Sequence, residues 1–526
     1  MAIVEFLSSI KDRIAMISTW DHRKHYDSII QFLKSSDTTH VLSLRGLRRT
    51  GKTTLALQAL DSPEAKKLGK SAIIQLEDGD RISLLKGKIK DLYNNGVRVL
   101  LIDEATKAED FSQGSAILSD IFSGMGMKIL LTGTDSLKFS FADGKGLYGR
   151  NFEIRTTHIP IIEWLKLIKV NDFDMYIEYG GTLCHEFSQY KRVDFFHFAN
   201  TKNTYEYTDA AIAQNIQHSL ETEEGGKKFY ELRDLYIKNI LTGIINRIVE
   251  RENHYILLDT IQRSFFPQDL ADGISNIAKD TNRGIPEDFF DRVDIKKIVD
   301  KLKKSLLIDN DKIISDNVSS SQLESLKDYL FDLDLFVQDL TYIIRIRLNG
   351  EYVCTEDKDC NICVQPGLRF NHAKTLVLKL SEDEAFQSLP KFQQEILNEM
   401  FLNMAKGRIL EEIIRFETRL CLNEVKNLSV SKIVFNRVEN IPHGEYDMLI
   451  YNSDSNTCQI FEIKHSKYQT KRQSHWLRQK ENNALTEYFF GKIVKRSVIY
   501  LGKTTCDEIQ YINAIDFLKN INSYII

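Results

Sequence analysis

Gly46-Leu-Arg-Arg-Thr-Gly51-Lys52-Thr53 fills every fixed position of the pattern G-x-x-x-x-G-K-[ST]. The apolar run Val41-Leu42-Ser43-Leu44 precedes it and a helical run from Thr54 follows. The chain is therefore expected to run here as a strand, a tight glycine loop and a helix. From Gly46 through Arg48, Arg49, Thr50 and Gly51 to Thr54, the loop would curl its backbone N–H groups around a phosphate. The helix start adds partial positive charge at the same place. Lys52 would reach the β and γ phosphates of ATP, and the Thr53 hydroxyl would ligate Mg2+. Such a loop belongs to a parallel sheet. Two further apolar runs, Val97-Arg98-Val99-Leu100-Leu101-Ile102 and Lys128-Ile129-Leu130-Leu131, are separated by helical stretches, as βαβ units require.

The second of these strands should end in an acid beside the magnesium. Asp103 and Glu104 stand there, about 50 residues after the loop. Asp103 would hold Mg2+ through water, and Glu104 would act as general base toward the attacking water. Adjacent acids favour hydrolysis over transfer to a second substrate. The third strand runs into Leu131-Thr132-Gly133-Thr134-Asp135, where Thr132 or Thr134 is placed to sense the γ-phosphate; ordinary turn chemistry explains the segment equally well. Gly149-Arg150 follows, and Arg150 reads either as a finger or sensor arginine or as a surface residue.

Composition narrows what surrounds this loop. At 526 residues the chain has room for several domains, and 42% hydrophobic with 27% charged residues is a globular balance. Its 70 basic and 74 acidic residues give a net charge of −4, so any polyanion contact must be local. Seven scattered cysteines do not make a disulfide framework. No apolar run is long enough to span a membrane. Acid and base arrive too early, in Met1-Ala-Ile-Val-Glu-Phe-Leu-Ser-Ser-Ile-Lys-Asp-Arg, for a signal peptide, and a cytoplasmic location is expected. Helical spacing is expected over the first 35 residues.

A second constellation lies near the other end. Gly444-Glu445-Tyr446-Asp447 opens one strand-like run and Cys458-Gln-Ile-Phe-Glu462-Ile463-Lys464 is another, with the turn-like Asn452-Ser-Asp-Ser-Asn-Thr between. A hairpin would bring Asp447 and Glu462 to one end, and Glu462 and Lys464 share a face. Two carboxylates holding Mg2+ or Mn2+ and a lysine stabilising developing charge suit metal-dependent phosphodiester cleavage. Glu411, in the helical Gly407-Arg-Ile-Leu-Glu411-Glu412, would complete the metal shell. From Lys464 to Lys480 there are six Lys or Arg, His465, His475 and Trp476, with no acid between. This reads as a basic helix following a phosphate backbone, or as a solvated face. Cys354, Cys360, Cys363 and His372 offer four potential zinc ligands, but the spacing is irregular and reduced, non-ligating cysteines fit better.

Arg45-Gly-Leu-Arg-Arg-Thr-Gly-Lys-Thr-Thr, Leu101-Ile-Asp-Glu-Ala, Leu131-Thr-Gly-Thr-Asp-Ser, Leu147-Tyr-Gly-Arg and Tyr179-Gly-Gly-Thr together resemble successive landmarks of the archaeal-type AAA+ ATPases, whose members carry a C-terminal nuclease-fold domain. Tyr148-Gly-Arg leading into Ile159-Pro-Ile-Ile-Glu-Trp is similar to that family's link between ATPase core and helical lid. Gly180-Gly181-Thr182 departs from its usual Gly-Gly-Pro. The order helix Glu, strand Asp, Glu-x-Lys resembles the PD-(D/E)xK restriction-endonuclease-like fold. The resemblance implies an α/β chain: N-terminal helices and P-loop ATPase core over 1–160, helical lid over 161–245, winged-helix-like region over 246–399 and nuclease-like domain over 400–526. Within the third region, Val293-Asp-Ile-Lys-Lys-Ile-Val-Asp-Lys-Leu-Lys-Lys and the following Leu306-Leu-Ile-Asp-Asn-Asp-Lys-Ile-Ile fit a helix and wing, or an ordinary helix and hairpin. The expected function is ATP hydrolysis controlling a metal-dependent site that acts on DNA, with RNA and homo-oligomer formation left open. Two rivals are a nucleotide-dependent switch with an inactive nuclease fold and a DNA-binding regulator.

Overall fold

The structure is a computed structural model. It describes residues 3–134, 139, 142, 147–183, 232, 235, 241, 243–245, 318–346, 350–357, 361–381, 384–387, 390–423, 425, 427–438, 441–505 and 508–525. The chain divides into two compact units, the first built from residues up to Asn171, Tyr179–Ile248 and Ile313–Leu335. The expected winged-helix segment at 293–314 and most of the expected lid lie outside the described residues.

The N-terminal unit contains a six-stranded sheet of β1 (Ile3–Phe6), β2 (Val41–Arg45), β3 (Lys70–Gln75), β4 (Val97–Asp103), β5 (Lys128–Gly133) and β6 (Asn151–Arg155). Its order is β1-β3-β4-β5-β2-β6, and every pair is parallel except β1 with β3. The central strands read as nearly continuous apolar runs because both faces are covered. Leu100, Ile102, Ile129 and Leu131 join one core, and Val99, Leu101, Leu130, Leu42 and Leu44 join the other. Each buried side chain of this size contributes roughly 1.5–3 kcal/mol by leaving water. Helices were expected from the first residues onward, but Ile3–Phe6 is a strand at the sheet edge, with Ile3 opposite Gln75 and Phe6 opposite Ala72. Its length of 4 residues is too short to show a period of two against the helical pattern that follows.

The second unit comprises Asp172–Glu178, Val249–Lys312 and Phe336–Ile526. It holds a two-stranded sheet of β7 (Phe336–Gln338) and β10 (Asn361–Cys363). Its main sheet joins β8 (Thr341–Ile346), β9 (Tyr352–Asp357), β11 (Leu428–Val438), β12 (Ile441–Asn452), β13 (Thr457–Lys464), β14 (Lys492–Tyr500) and β15 (Gln510–Asn513), in the order β15-β14-β13-β12-β11-β8-β9. The expected division at residue 400 falls inside one helix, Lys391–Leu422, and the unit takes in β8 and β9. Long-range pairing explains the difference: Lys432 to Asn436 pair in parallel with Thr341 to Arg345, some 90 residues earlier, a contact no local pattern announces. β12 and β13 form the expected antiparallel hairpin, with Met448 opposite Phe461 and Asn452 opposite Thr457. The expected basic helix is absent. Lys471–Ser474 and Trp476–Arg478 are two short 3-10 turns, and the next helix starts only at Lys480.

Candidate nucleotide and metal sites

β2 ends at Arg45 and the glycine loop leads into the helix Lys52–Leu60. Gly46 needs to be glycine, because a Cβ there would lie 2.4 Å from Thr156 Oγ1 and 2.8 Å from Thr157 N. Gly51 caps the helix in the left-handed region at φ 82°, which glycine adopts at no steric cost. Lys52 folds back under the loop, donating to the carbonyls of Gly46 (2.8 Å) and Leu47 (2.9 Å). A bound polyphosphate would take over this ammonium. Thr50 is buried and donates to Leu47 O at 2.8 Å, bracing the turn from inside. Arg48 is half-buried, Arg49 exposed at φ 63°, and Thr53 and Thr54 half-buried at the helix start.

The acids arrive on β4, separated from the loop strand by β5. Thr53 Oγ1 donates to Asp103 Oδ1 at 2.9 Å, and Thr132 Oγ1 donates to the same oxygen at 2.5 Å. The loop, the β4 acid and the β5 threonine thus meet at one carboxylate. Hard oxygen donors on one small cluster fit Mg2+. Glu104 stands in the left-handed region at φ 55°, a conformation that costs a non-glycine residue about 1 kcal/mol or more. Its backbone N–H donates to Thr132 Oγ1 at 3.0 Å, and its Oε2 is buried without a hydrogen-bond partner among the described residues. A strained, unpartnered carboxylate beside the loop suits a base that waits for water. Glu104→Gln should therefore keep nucleotide affinity while slowing turnover by about a hundredfold; single-turnover phosphate release checks this, and full turnover would contradict the base assignment.

Burial pushes the Lys52 ammonium down to about 8, against the opposing pull of Glu104 and Asp103. Between about pH 8 and 10.5 the folded lysine is neutral while the unfolded one is charged. Burying the charge therefore costs stability below pH 8, and that cost fades as pH rises. Polyphosphate binding restores the ammonium, so above about pH 8 binding takes up a proton. Nucleotide affinity should then fall by up to about tenfold per pH unit. Buffer-dependent heats in titration calorimetry would show the proton uptake; an affinity flat across this range would contradict it.

Arg150 stands away from this cluster. Its carbonyl accepts from Val41 N, at the start of β2, whereas the loop leaves the other end of that strand. Its guanidinium pairs with Asp120. Because β6 runs parallel to β2, a residue preceding β6 lies at the far end of the sheet from the loop, so Arg150 is not brought to this cluster. The sequence reading missed Arg23, a buried arginine that reaches the loop. Its partners lie 27 to 140 residues away, so no spacing rule finds it.

In the second unit, Asp447 on β12 and Glu462 on β13 are both buried, one step beyond the pair Met448–Phe461. Asp447 Oδ2 accepts from the Ile463 N–H at 2.7 Å and from Lys464 Nζ at 2.8 Å. Lys464 Nζ also lies 2.5 Å from Glu462 Oε2. Asp447 Oδ1 and Glu462 Oε1 are buried with no hydrogen-bond partner among the described residues. Burial and, less strongly, the neighbouring Asp447 hold the Glu462 carboxyl well above the usual range, and Asp447 with Glu462 holds the Lys464 ammonium above its own. Two unpartnered carboxylate oxygens on facing strands fit a hard divalent cation. Glu411 lies close enough to this pair that, after burial, the Asp447 carboxylate is what most raises its own carboxyl above the usual range, while its Oε2 accepts from Arg408 at 2.9 Å and lies 3.9 Å from Arg415 and 4.0 Å from Lys432. Among the described residues no three His, Cys, Asp or Glu side chains gather as a metal cluster. That applies equally to the cysteines. Cys354 on β9 is a thiol pushed up to about 11 by burial, Cys363 ends β10 in the other sheet, and Cys360 and the His372 side chain lie outside what is described.

The basic stretch is uneven. Lys467, Lys471, Arg472 and Lys480 are exposed, but Arg478 pairs with Glu508 at 3.0 Å and His465 with Asp174 at 2.5 Å. Trp476 packs over Gly444, where a Cβ would lie 2.6 Å from its ring, so it serves the core of this unit and not a base stack. Among the described residues no helix is long and apolar enough to cross a membrane.

Residues 38–165 match the model of the family described as "AAA domain", the span that carries the loop, β4 and β5. No curated protein matches the chain. Among solved structures it is similar to the S. cerevisiae Hsp104:casein complex in extended conformation (14% identity over 66% of this chain and 60% of that one, TM-score 0.26). It is also similar to the S. cerevisiae Hsp104–ADP complex (13%, 79% and 54%, TM-score 0.26). AMPPCP-bound DnaA from Aquifex aeolicus matches at 12% identity over 59% of this chain and 87% of that one, with a TM-score of 0.21. The chain spans only 60% and 54% of the two Hsp104 chains. The match over residues 38–165 gives the N-terminal unit an AAA-type P-loop domain.

Proposed function

We propose that the protein hydrolyses ATP at the glycine loop and uses that cycle to control a metal-dependent, nuclease-like site in its second unit, acting on DNA. The observation that carries the first half is the meeting of Thr53, Asp103 and Thr132 on one carboxylate oxygen beside a buried Lys52. ATP would seat its phosphates on the loop N–H groups and take the Lys52 ammonium from the Gly46 and Leu47 carbonyls. Thr53 and Asp103 would hold Mg2+, which when bound screens the charge of the phosphates. Glu104 would accept the proton of the attacking water, and Thr132 would fix the carboxylate beside it. Release of inorganic phosphate from ATP by the purified full chain, dependent on Mg2+, tests this half; no release would remove it.

Asp447 and Glu462 would hold Mg2+ or Mn2+ at the second site, where a bound divalent ion lowers the cost of making a nucleophile from water. Lys464 would stabilise charge developing on the scissile phosphate. The order Asp447, Glu462, Lys464 on a β-hairpin supports a PD-(D/E)xK-like reading. One observation favours the rival switch: Lys464 already supplies a cation to both carboxylates. DNA would be held through exposed charge. Reversing Lys471 and Arg472 to glutamate should weaken DNA binding about tenfold or more and reduce the slope of log affinity against log salt by about two. Fluorescence anisotropy across a salt series would show this, and an unchanged slope would reduce the stretch to a solvated surface.

A further inference from the structure

Arg23 precedes the region that matches the AAA family, yet it is 4% exposed and its guanidinium makes four hydrogen bonds to the loop and its surroundings. Nη1 donates to Thr50 O at 2.7 Å and to Thr156 O at 3.0 Å, and Nη2 donates to His158 O at 3.0 Å. Nε donates to Glu163 Oε1 at 2.6 Å, from the first turn of the helix Ile161–Ile168. One side chain therefore joins the glycine loop, the segment that follows β6 and one helix.

Its contact with Thr50 bears on the phosphates. In a planar trans peptide the carbonyl and the following N–H point in opposite directions. Fixing the Thr50 carbonyl on Arg23 thus fixes the Gly51 N–H on the opposite side. The neighbouring peptide is held the same way, since Leu183 N donates to Arg49 O at 2.7 Å and so orients the Thr50 N–H. Gly51, with its left-handed φ and no side chain, has with Gly46 the most conformational freedom to lose in the loop. We infer that Arg23 is a positioning residue for the nucleotide, holding the Thr50–Gly51 peptide so that its N–H group is presented to the phosphates before they arrive. Preorganisation of this kind lowers the cost of binding and makes no contact of its own with the ligand.

The inference rests on the ATP-binding reading, and the test separates the two. Affinity for ADP and for a non-hydrolysable ATP analogue is measured by calorimetry in wild type, Arg23→Gln, Glu163→Gln and the double variant, alongside thermal melting. Arg23→Gln alone leaves Glu163 buried without its partner, so its melting temperature should drop. In the double variant that buried charge is gone and the melting temperature should recover, while affinity for both nucleotides stays roughly ten- to a hundredfold below wild type, the range for losing a charge-assisted hydrogen bond. Glu163→Gln alone should leave affinity within about threefold. Recovery of both stability and affinity in the double variant overturns the positioning role and makes Arg23 a purely structural anchor. A wild type that binds neither nucleotide overturns the ATP reading and, with it, this proposal.

Discussion

Lys52→Ala is expected to lower ATP turnover by at least about a hundredfold and to weaken nucleotide binding, measured by phosphate release and by calorimetry. The size follows from the surroundings of the ammonium. Lys52 is buried, shares its pocket with Glu104 and Asp103, and is held by two loop carbonyls that can release it to a polyphosphate. Alanine leaves the Gly46 and Leu47 carbonyls without that donor and leaves the two acids facing the phosphates unopposed. The fold should survive, because deleting the side chain also removes the cost of burying an ammonium held down at about 8. Turnover within threefold of wild type would mean that the loop does not handle the phosphates.

Asp447→Asn is expected to abolish metal-dependent cleavage, by about a hundredfold or more, and to leave ATP turnover unchanged. Asparagine can still accept the Ile463 N–H that Asp447 accepts at 2.7 Å, so the hairpin keeps its end. What is lost is charge. Lys464 would retain only Glu462, and a divalent cation would meet one carboxylate where it had two. Lys464→Ala should act differently, sparing metal binding while removing cleavage. Without the ammonium, the buried Asp447 and Glu462 repel each other and gain more from any cation placed between them. Calorimetric titration with Mn2+ distinguishes the two variants, and equal metal affinity in wild type and Asp447→Asn would remove the metal from this site.

Much of the N-terminal site was legible because its chemistry is local. Gly46, Gly51, Lys52 and Thr53 lie within one loop and its helix, and Asp103 closes an apolar run whose spacing reads as a strand. Thr132, one of the two threonines weighed at the end of β5, donates to Asp103. The place of Arg150 was not legible, because a landmark motif says nothing of which sheet end it occupies; strand direction does, and β6 parallel to β2 puts it at the end away from the loop. The short edge strand Ile3–Phe6 had too few residues to show its period. In the second unit, the hairpin of Asp447 and Glu462 was visible from two strands and the turn between them. The extent of the unit was not, since β8 reaches its place by pairing with β11. The basic stretch has helical composition but no apolar stripe at 3.6-residue spacing, and it breaks into turns capped by Thr470 and Gln473.

If the ATP cycle controls the second site, DNA cleavage should depend on nucleotide. Purified full chain is incubated with plasmid and short duplex or single-stranded DNA in Mg2+ or Mn2+, with and without ATP, beside the Glu104→Gln and Asp447→Asn variants. Wild type is expected to cleave in a metal-dependent way at a rate that changes when ATP is added, Glu104→Gln to show an altered ATP response, and Asp447→Asn not to cleave. Cleavage indifferent to ATP would contradict the control, and a wild type that cuts neither DNA nor RNA with either metal would contradict the nuclease site itself.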